Sequence, residues 1–91
     1  MKLLMEPHRI YAEDENKKLL AEITFPELEH GIWNIDHTFV DSSLRGQGVA
    51  GTLMEAVVEQ AKLHNKKLFP TCSYAVAWFE KNKEHQKLLQ K

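Results

Sequence analysis

The sequence contains one cysteine, Cys72, among its 91 residues. A lone cysteine excludes a disulfide framework within the chain and is typical of reducing compartments, so we expect a cytoplasmic protein. No apolar run approaches the length of a membrane span, and the apolar stretch after Met1 is too short for the core of a secretory signal. We therefore expect no membrane partner.

An excess of charge of one sign is also missing. Lysine and arginine number 12, aspartate and glutamate number 13, and the formal net charge is −1. The basic residues are scattered apart from pairs at residues 17–18 and 66–67, so we expect no nucleic-acid partner. No histidine has a metal-ligating partner at helical spacing, so no metal is expected either.

The length and the hydrophobic content of 43% suit one small globular domain over residues 1–91. Alternation of apolar and polar residues predicts strands at residues 8–14, 19–25 and 32–40. Short polar links between them predict a three-stranded antiparallel meander. In the third strand, four alternate residues share one face: Trp33, Ile35, His37 and Phe39.

Helical periodicity begins in the second half of the chain. Residues 49–65 carry one apolar stripe and end at Asn65, a suitable C-cap. A short buried strand at residues 66–70 and a helix at 74–82, with Ser73 as its N-cap, follow. Residues 83–91 form a short tail that adds a helical turn.

The order of these elements predicts the fold class. The third strand, the long helix and the fourth strand form a right-handed β-α-β crossover, which makes the two strands parallel. We predict an α+β (α/β) fold with an antiparallel meander, a helix, a parallel fourth strand and a C-terminal helix.

The stretch LRGQGVAGTL places Gly46, Gly48 and Gly51 at the G-x-G-x-x-G spacing of dinucleotide-binding proteins. That fingerprint requires a turn directly after a strand and an acidic residue about twenty positions later. Here a polar loop at residues 41–44 separates strand and glycines, and residues 65–72 contain no acid. We therefore reject the dinucleotide interpretation.

The physical properties of this turn still suit a phosphate ligand. Small residues that lead into a helix leave backbone N–H groups unpaired at the positive end of the helix dipole, and Arg45 adds a permanent cation. The alternative is that the loop binds no ligand and contains glycine only because the turn of the backbone requires it. Gly51 falls in the first helical turn, where we expect its missing side chain to permit close packing.

The same residues resemble a family signature when the frame is shifted to Arg45. RGQGVA is similar to the acetyl-coenzyme A signature Q/R-x-x-G-x-G/A of the GNAT N-acetyltransferase superfamily, whose loop holds the coenzyme A pyrophosphate on backbone N–H groups. The resemblance assigns the preceding strand end, Phe39 and Val40, to the pantetheine arm. It assigns the following residues to the cofactor loop: Arg45, Gly46, Gln47, Gly48, Val49, Ala50 and Gly51.

Two further stretches resemble a compact GNAT subfamily of about this length: HTFV at 37–40 and FPTCSYAVAWFEKN at 69–82. With the loop, they cover most of residues 35–82. The N-terminal helices and final strands of larger members have no counterpart here, which implies a truncated fold with a shallow, open acceptor site. A monomer or weak homodimer is expected, because the missing helices leave apolar sheet surface that a dimer can cover.

The resemblance implies an acyltransferase that uses acetyl-CoA to acetylate an amine of unknown identity. Two alternative functions do not include catalytic turnover. One is an acyl-CoA-binding or self-acetylating module without turnover, and the other is a structural interaction subunit.

The candidate catalytic residues are Cys72 and His37, which we expect to face each other across neighbouring parallel strands. Cys72 can carry the acetyl group with His37 as its base, donate a proton, line the acetyl pocket during direct transfer, or be an inert buried residue. His37 can instead be a satisfied core histidine. Tyr74 is expected near the pantetheine arm or as a phenolic acid.

Overall fold

The computed structural model describes residues 2–29 and 31–90. Within these ranges, seven strands and two α-helices follow one another, with a short 3-10 helix at Ser42–Leu44 and another at Lys83–Leu88. The strands are β1 (Leu4–Glu6), β2 (Arg9–Glu13), β3 (Leu19–Thr24), β4 (Glu27–Glu29), β5 (Ile32–Ile35), β6 (His37–Val40) and β7 (Lys67–Pro70). The helices are α1 (Val49–His64) and α2 (Ser73–Lys81).

The strands form two sheets. The first is antiparallel in the order β1-β2-β3-β6, and the second has the order β4-β5-β7. Strands β5 and β7 are parallel because α1 carries the chain back across the sheet between them. The predicted crossover and the α+β fold class are both confirmed.

The predicted strand at residues 32–40 is wrong as a single element, because Asp36 divides it between the two sheets. The N–H of Asp36 donates to the carbonyl of Thr24, and its carboxylate accepts from the Thr24 hydroxyl. The side-chain alternation changes phase at this break. Ile35 is buried, whereas His37 is exposed, so His37 and Phe39 do not share the face of Trp33 and Ile35.

Two short strands at the sheet edges were not predicted. β1 pairs with β2, and β4 lies within the segment that we expected to be a turn after Pro26. Both have three residues and mostly exposed side chains, so neither carries a periodic apolar signal. His30, expected in that turn, lies outside the described residues.

Helix α1 covers one side of the antiparallel sheet and supplies much of the core. Its buried residues alternate at helical spacing with exposed ones, and the predicted C-cap Asn65 adopts the left-handed conformation with φ of 58°. The core side chains that are fully enclosed come from both sheets and both helices: Ile10, Ile23, Ile35, Leu53, Met54, Val57, Leu68 and Phe79.

Helix α2 starts one residue earlier than expected. Cys72, and not Ser73, is the N-cap, because the Cys72 sulfur accepts from the backbone N–H of Ala75. The predicted C-terminal helical turn is present as the 3-10 helix, and Leu89 then bridges to Leu68 of β7. Neither helix in the described part of the chain is long and apolar enough to cross a membrane.

Candidate functional site

The glycine loop, residues 45–51, connects β6 to α1. It starts after the 3-10 helix Ser42–Leu44, and Gly46 and Gly48 both have positive φ, at 82° and 72°. Residues with a Cβ rarely adopt these angles, so glycine is required at both positions by the backbone itself. No atom lies within 4 Å of where a Cβ would stand at either glycine, so both open onto free space.

The positive end of the α1 dipole is not neutralised by a side chain of the helix. Gly48 is the N-cap and offers no side-chain hydrogen bond, and the first turn contains no acidic residue. The N–H groups of Val49, Ala50 and Gly51 therefore have no acceptor within the helix and lie at its positive end. This is the environment that proteins use to bind phosphate groups.

A concave surface of about 290 Å³ lies against this helix end. Arg45 is exposed beside it, and its guanidinium has no hydrogen-bond or ion-pair partner among residues 2–29 and 31–90. The surface brings together eight of the ten cofactor residues predicted from the sequence, together with Leu44: Val40, Arg45, Gly46, Gly48, Val49, Ala50, Gly51 and Tyr74. Leu44 was not predicted, because nothing but its place in the loop distinguishes it.

The two remaining cofactor candidates lie outside this surface. Gln47 is exposed, and its backbone N–H donates to the Leu44 carbonyl. Phe39 points away from α1 with 37% of its side chain exposed. Its register partner in β3 is Glu22.

Gly51 is less constrained than expected. Its helical backbone needs no glycine, and a Cβ would meet the Tyr74 hydroxyl at 3.8 Å and Trp78 Nε1 at 3.9 Å, which are ordinary contact distances. The expectation that its missing side chain permits close packing is therefore wrong, because a methyl group fits at the same distances.

Asp41 stabilises the 3-10 helix that precedes the glycine loop. Its carboxylate accepts from both the backbone N–H and the hydroxyl of Ser43, at 3.1 and 2.6 Å, and Lys18 Nζ lies 3.7 Å away. The Ser43 hydrogen bonds, with a smaller contribution from Lys18, lower the pKa of Asp41. The carboxylate stays ionised at neutral pH and fixes the 3-10 helix that leads to Arg45.

The far edge of β6 has free backbone groups. The N–H of Asp41 donates to the Leu20 carbonyl, and in an antiparallel ladder the residues bonded to the partner alternate along the strand. Thr38 and Val40 therefore direct their N–H and C=O groups away from β3. No strand pairs with that edge in the described part of the chain, so it is open to an extended ligand.

Cys72 lies at the bottom of the cleft, which we define as the space between β6 and the carboxyl end of β7. The N–H groups of Thr71 and Cys72 donate to the Ile35 carbonyl, which ties this point to the end of β5. The Cys72 sulfur lies 3.4 Å from the Thr38 hydroxyl. The thiol is partly buried and faces β6, as expected from the sequence.

His37 does not face Cys72, and the expected pairing of these two side chains is wrong in geometry. Thr38 fills the position opposite the sulfur, and its neighbour His37 points to the other side of the strand. His37 is 53% exposed, and its Nε2 lies 3.3 Å from a carboxylate oxygen of Glu22. The alternative of a satisfied core histidine is excluded by that exposure.

Tyr74 stands between the glycine loop and Cys72. Burial of part of the ring, with a smaller effect of the Cys72 charge, raises the pKa of its phenol. The hydroxyl is therefore protonated at neutral pH and can donate a proton or a hydrogen bond.

A second cavity, of about 310 Å³, lies at the opposite end of α1 around Trp33 and His64. Its central carboxylate, Glu27, already accepts from Trp33 Nε1 and Lys66 Nζ at 3.2 and 3.4 Å. Because its polar groups satisfy one another and it lies away from the glycine loop, we do not assign the candidate site there. Within the described ranges, no group of three or more metal-ligating side chains occurs.

Comparison with known proteins places this geometry in a family context. The family described as GCN5-related N-acetyl-transferase matches residues 9–88. The solution structure of a GCN5-like protein from Staphylococcus aureus, classed as an N-acetyltransferase, is similar with a TM-score of 0.83 and 36% identity over 98% of this chain and 87% of that one.

Two larger proteins share the fold at lower identity. A GNAT-family acetyltransferase from Staphylococcus aureus Mu50 has a TM-score of 0.65 and 16% identity over 82% of this chain and 50% of its own. Tetrahymena GCN5 has the same TM-score and identity over 94% of this chain and 62% of its own. This chain therefore spans only part of the length of those two proteins.

Proposed function

Because the chain belongs to the GCN5-related N-acetyltransferase family, we propose that it binds acetyl-CoA in the glycine loop and transfers the acetyl group to an amine. The observation that supports this most directly is the loop itself. Two glycines with positive φ lead into a 16-residue helix whose N-terminus has no side-chain cap and no acid. A pyrophosphate fits both the free N–H groups and the local potential.

In this proposal the backbone of the loop holds the pyrophosphate and Arg45 pairs with a phosphate oxygen. The N–H groups of Gly48, Val49, Ala50 and Gly51 are hydrogen-bond donors without an acceptor in the described part of the chain. Arginine adds directional donors that stay charged at every physiological pH.

The pantetheine arm then lies along the free edge of β6. The exposed backbone groups of Val40 and Thr38 pair with its amides, as an added strand would. This path leads from the loop into the cleft, so the thioester is placed beside Thr38 and Cys72, with the Tyr74 hydroxyl on the helix side.

Transfer requires that an uncharged amine attack the thioester carbonyl and that the departing thiolate be protonated. Among the residues that the structure describes, no base contacts the Cys72 sulfur, whose hydrogen-bond partners are the Thr38 hydroxyl and the Ala75 N–H. We therefore favour direct transfer, with Cys72 and Thr38 lining the acetyl pocket and Tyr74 as a proton donor to the thiolate.

Calorimetric titration with acetyl-CoA tests the binding step. We expect Gly48→Val to abolish or strongly weaken binding, because a side chain at φ of 72° distorts the loop and projects into the phosphate space. Gly31→Val is the matched control, since Gly31 has φ of 81°, an open Cβ position and no contact with the loop. Equal loss in both variants, or unchanged binding in Gly48→Val, would contradict the phosphate assignment.

Thiol release in the presence of amines tests turnover, and intact-mass measurement tests the route. Direct transfer predicts thiol release that Cys72→Ser retains, with no stable adduct on the protein. An adduct of about 42 Da, one acetyl group, that is lost in Cys72→Ser would instead show that the cysteine carries the acetyl group.

A further inference from the structure

The second cavity, the space of about 310 Å³ at the end of α1 that lies away from the glycine loop, is lined on one side by packed rings. The ring centroids of Phe25 and Trp33 lie 5.1 Å apart, and the ring of His64, in the last turn of α1, lies 6.1 Å from Trp33. His8 packs edge to face with Phe25 and Trp33, at 6.1 and 5.8 Å. Rings at such separations and angles attract one another, so a further ring that enters the cavity meets contacts of the same kind.

His8 belongs to this ring wall although its backbone conformation disfavours a side chain. Glu6 and Arg9 are paired across β1 and β2, so Pro7 and His8 form a two-residue hairpin turn. Proline holds φ negative at the first position and His8 has φ of 65° at the second, which is the pattern of a type II turn. The second position of that turn favours glycine or asparagine. Strain at a residue whose ring lines a cavity supports a binding role for the ring.

The ring wall is formed before any ligand enters. The N–H of Phe25 donates to the His8 carbonyl at 2.9 Å, which ties the strained turn to the end of β3. Phe25 is 3% exposed and Trp33 is 6% exposed, so core packing fixes both rings. Binding therefore requires little ordering of the wall, as in most small-molecule sites.

The carboxylates around the cavity already have basic partners. Glu27 accepts from Lys66 Nζ at 3.4 Å and from Trp33 Nε1 at 3.2 Å, and Glu6 accepts from Arg9 Nη1 at 3.5 Å. A charged ligand would have to displace one of these partners or leave its own charge unpaired in a largely apolar space. The cavity therefore favours an uncharged ligand.

The volume of the cavity limits the size of that ligand. An apolar cavity of about 150 Å³ in another protein holds one benzene molecule. About twice that volume suits two fused rings, and pockets for small molecules begin at about this size. Met5, Pro7 and Ile10 supply further apolar contacts.

We propose that this cavity is a second binding site, which takes a neutral, planar compound of two fused rings such as indole. The site lies at the C-terminal end of α1, and the glycine loop lies at the N-terminal end of the same 16-residue helix. At about 1.5 Å per residue, roughly 24 Å separate the two ends of the helix. The ring compound and acetyl-CoA therefore bind without competing, and this inference does not depend on the proposed function.

NMR titration of ¹⁵N-labelled protein with indole at neutral pH tests the site. We expect saturable shifts of the Trp33 Nε1–H resonance, with a Kd of roughly 10 µM to 1 mM for a ligand of this size. Trp78 is the internal reference, because its ring stacks on His85 and it is not among the described residues that line the cavity.

Two comparison ligands test the charge argument. Tryptamine is a cation and indole-3-acetate an anion at neutral pH, and both should bind at least about tenfold more weakly than indole. Saturating acetyl-CoA should change the affinity for indole less than about twofold, because the two sites are separate.

His8→Gly tests the role of the imidazole ring. Glycine adopts a positive φ without strain, so the variant should be at least as stable as the wild type, whereas the affinity for indole should fall about fivefold with the loss of a ring contact. Lys17→Gly is the matched control. Lys17 also has φ of 65°, but it lies beyond the other end of β2 and the affinity should not change.

Gln60→Trp tests the cavity itself, because the larger side chain fills the space that Gln60 now lines. We expect it to abolish the indole-induced shifts at Trp33. Glu59→Trp, at the exposed neighbouring position of α1, should retain them. If Gln60→Trp does not fold, His8→Gly still decides, since glycine suits its turn.

The remaining outcomes overturn the inference. The absence of a saturable shift at Trp33, or equal shifts at Trp33 and Trp78, would show that indole does not bind in this cavity. Tighter binding of either charged analogue, or unchanged affinity in His8→Gly, would contradict the chemistry assigned to it. Competition with acetyl-CoA would place indole in the glycine loop. If acetyl-CoA itself fails to bind, only the proposed function fails, and the Trp33 shifts decide this inference on their own.

Discussion

At the scale of single residues, the glycines of this protein differ in what they do. Gly46 and Gly48 are fixed by backbone angles that other residues rarely adopt, whereas Gly51 has helical angles and room for a Cβ. The three-glycine pattern therefore contains two backbone requirements and one tolerant position. Spacing alone cannot distinguish them, because the distinction lies in φ.

Gly51→Ala tests that distinction. Alanine has the higher helix propensity and retains the backbone N–H, so we expect the variant to be more stable by up to about 1 kcal/mol. In a domain of this size that raises the midpoint of thermal unfolding by several degrees. Acetyl-CoA affinity should stay within about threefold. A lower melting temperature would show that Tyr74 and Trp78 cannot accept the methyl group.

Tyr74 predicts a dependence on alkaline pH. Its raised pKa means that the folded protein holds the phenolic proton more tightly than the unfolded chain, whose value is near 10.0. The associated stability is fully present below that pH and is lost as pH rises through the folded pKa. Thermal unfolding between about pH 8 and pH 11 should therefore show a smaller alkaline loss for Tyr74→Phe than for the wild type. Identical profiles would contradict the partial burial of the phenol.

At the scale of elements, the break at Asp36 has the largest effect on the site. It sends β5 to the sheet that contains β7 and β6 to the other sheet, and the cleft between β6 and the carboxyl end of β7 opens as a result. The second half of this segment consequently turns its other face to the core. That phase change is why His37 meets Glu22 and why Thr38 meets Cys72.

Asn34 fixes the other side of the cleft. Its amide nitrogen donates to the Phe69 carbonyl and to the Thr71 hydroxyl, at 2.9 and 2.8 Å, just before Cys72. We expect Asn34→Leu to destabilise the protein by about 1–2 kcal/mol, the net value of two hydrogen bonds. Amide hydrogen exchange of Thr71 and Cys72 should accelerate, since their N–H groups bind the neighbouring Ile35 carbonyl.

Thr71→Val is the graded control for that experiment, because it removes one of the two acceptors and leaves Asn34 bonded to Phe69. Its effect on stability and exchange should be smaller. If Asn34→Leu left the exchange of Cys72 unchanged, the amide would not hold the end of β7.

The features that were predicted correctly are those that depend on residues close together in the sequence. The long helix, its Asn65 cap, the parallel crossover and the loop at Arg45 all follow from periodicity, capping and turn chemistry. The break at Asp36 does not, because residues 32–40 alternate well enough for one strand and only the pairing with Thr24 reveals the division. The contact between Glu22 and His37 was missed for the same reason, because it forms only when β3 and β6 are adjacent.

At the scale of the whole molecule, a ligand that binds the folded chain alone must stabilise it. At an acetyl-CoA concentration about 100 times Kd, the free energy of unfolding should rise by about 2.7 kcal/mol. For a domain of this length, the thermal midpoint then rises by roughly 10–20 °C. Differential scanning fluorimetry with desulfo-coenzyme A and with adenosine as comparison ligands measures this shift. A shift as large with adenosine as with acetyl-CoA would mean that the pyrophosphate contributes nothing.

The whole-molecule expectations of one domain over residues 1–91, a cytoplasmic location and a monomer or weak homodimer stay predictions. Exposed aromatic residues bear on the last of these, because Phe39 of the first sheet and Phe69 of the second are 37% and 43% exposed. Sedimentation at several protein concentrations measures that association.

The division of the sheet also has a consequence for how the chain folds. Strands β2, β3 and β6 pair across shorter stretches of chain than β5 and β7, which are separated by the whole of α1. Contacts between distant segments pay a larger loop-closure entropy, so the second sheet closes late in folding. The cleft is thus the last part of the molecule to form. A ligand that contacts both sides of the cleft therefore stabilises the two sheets against each other.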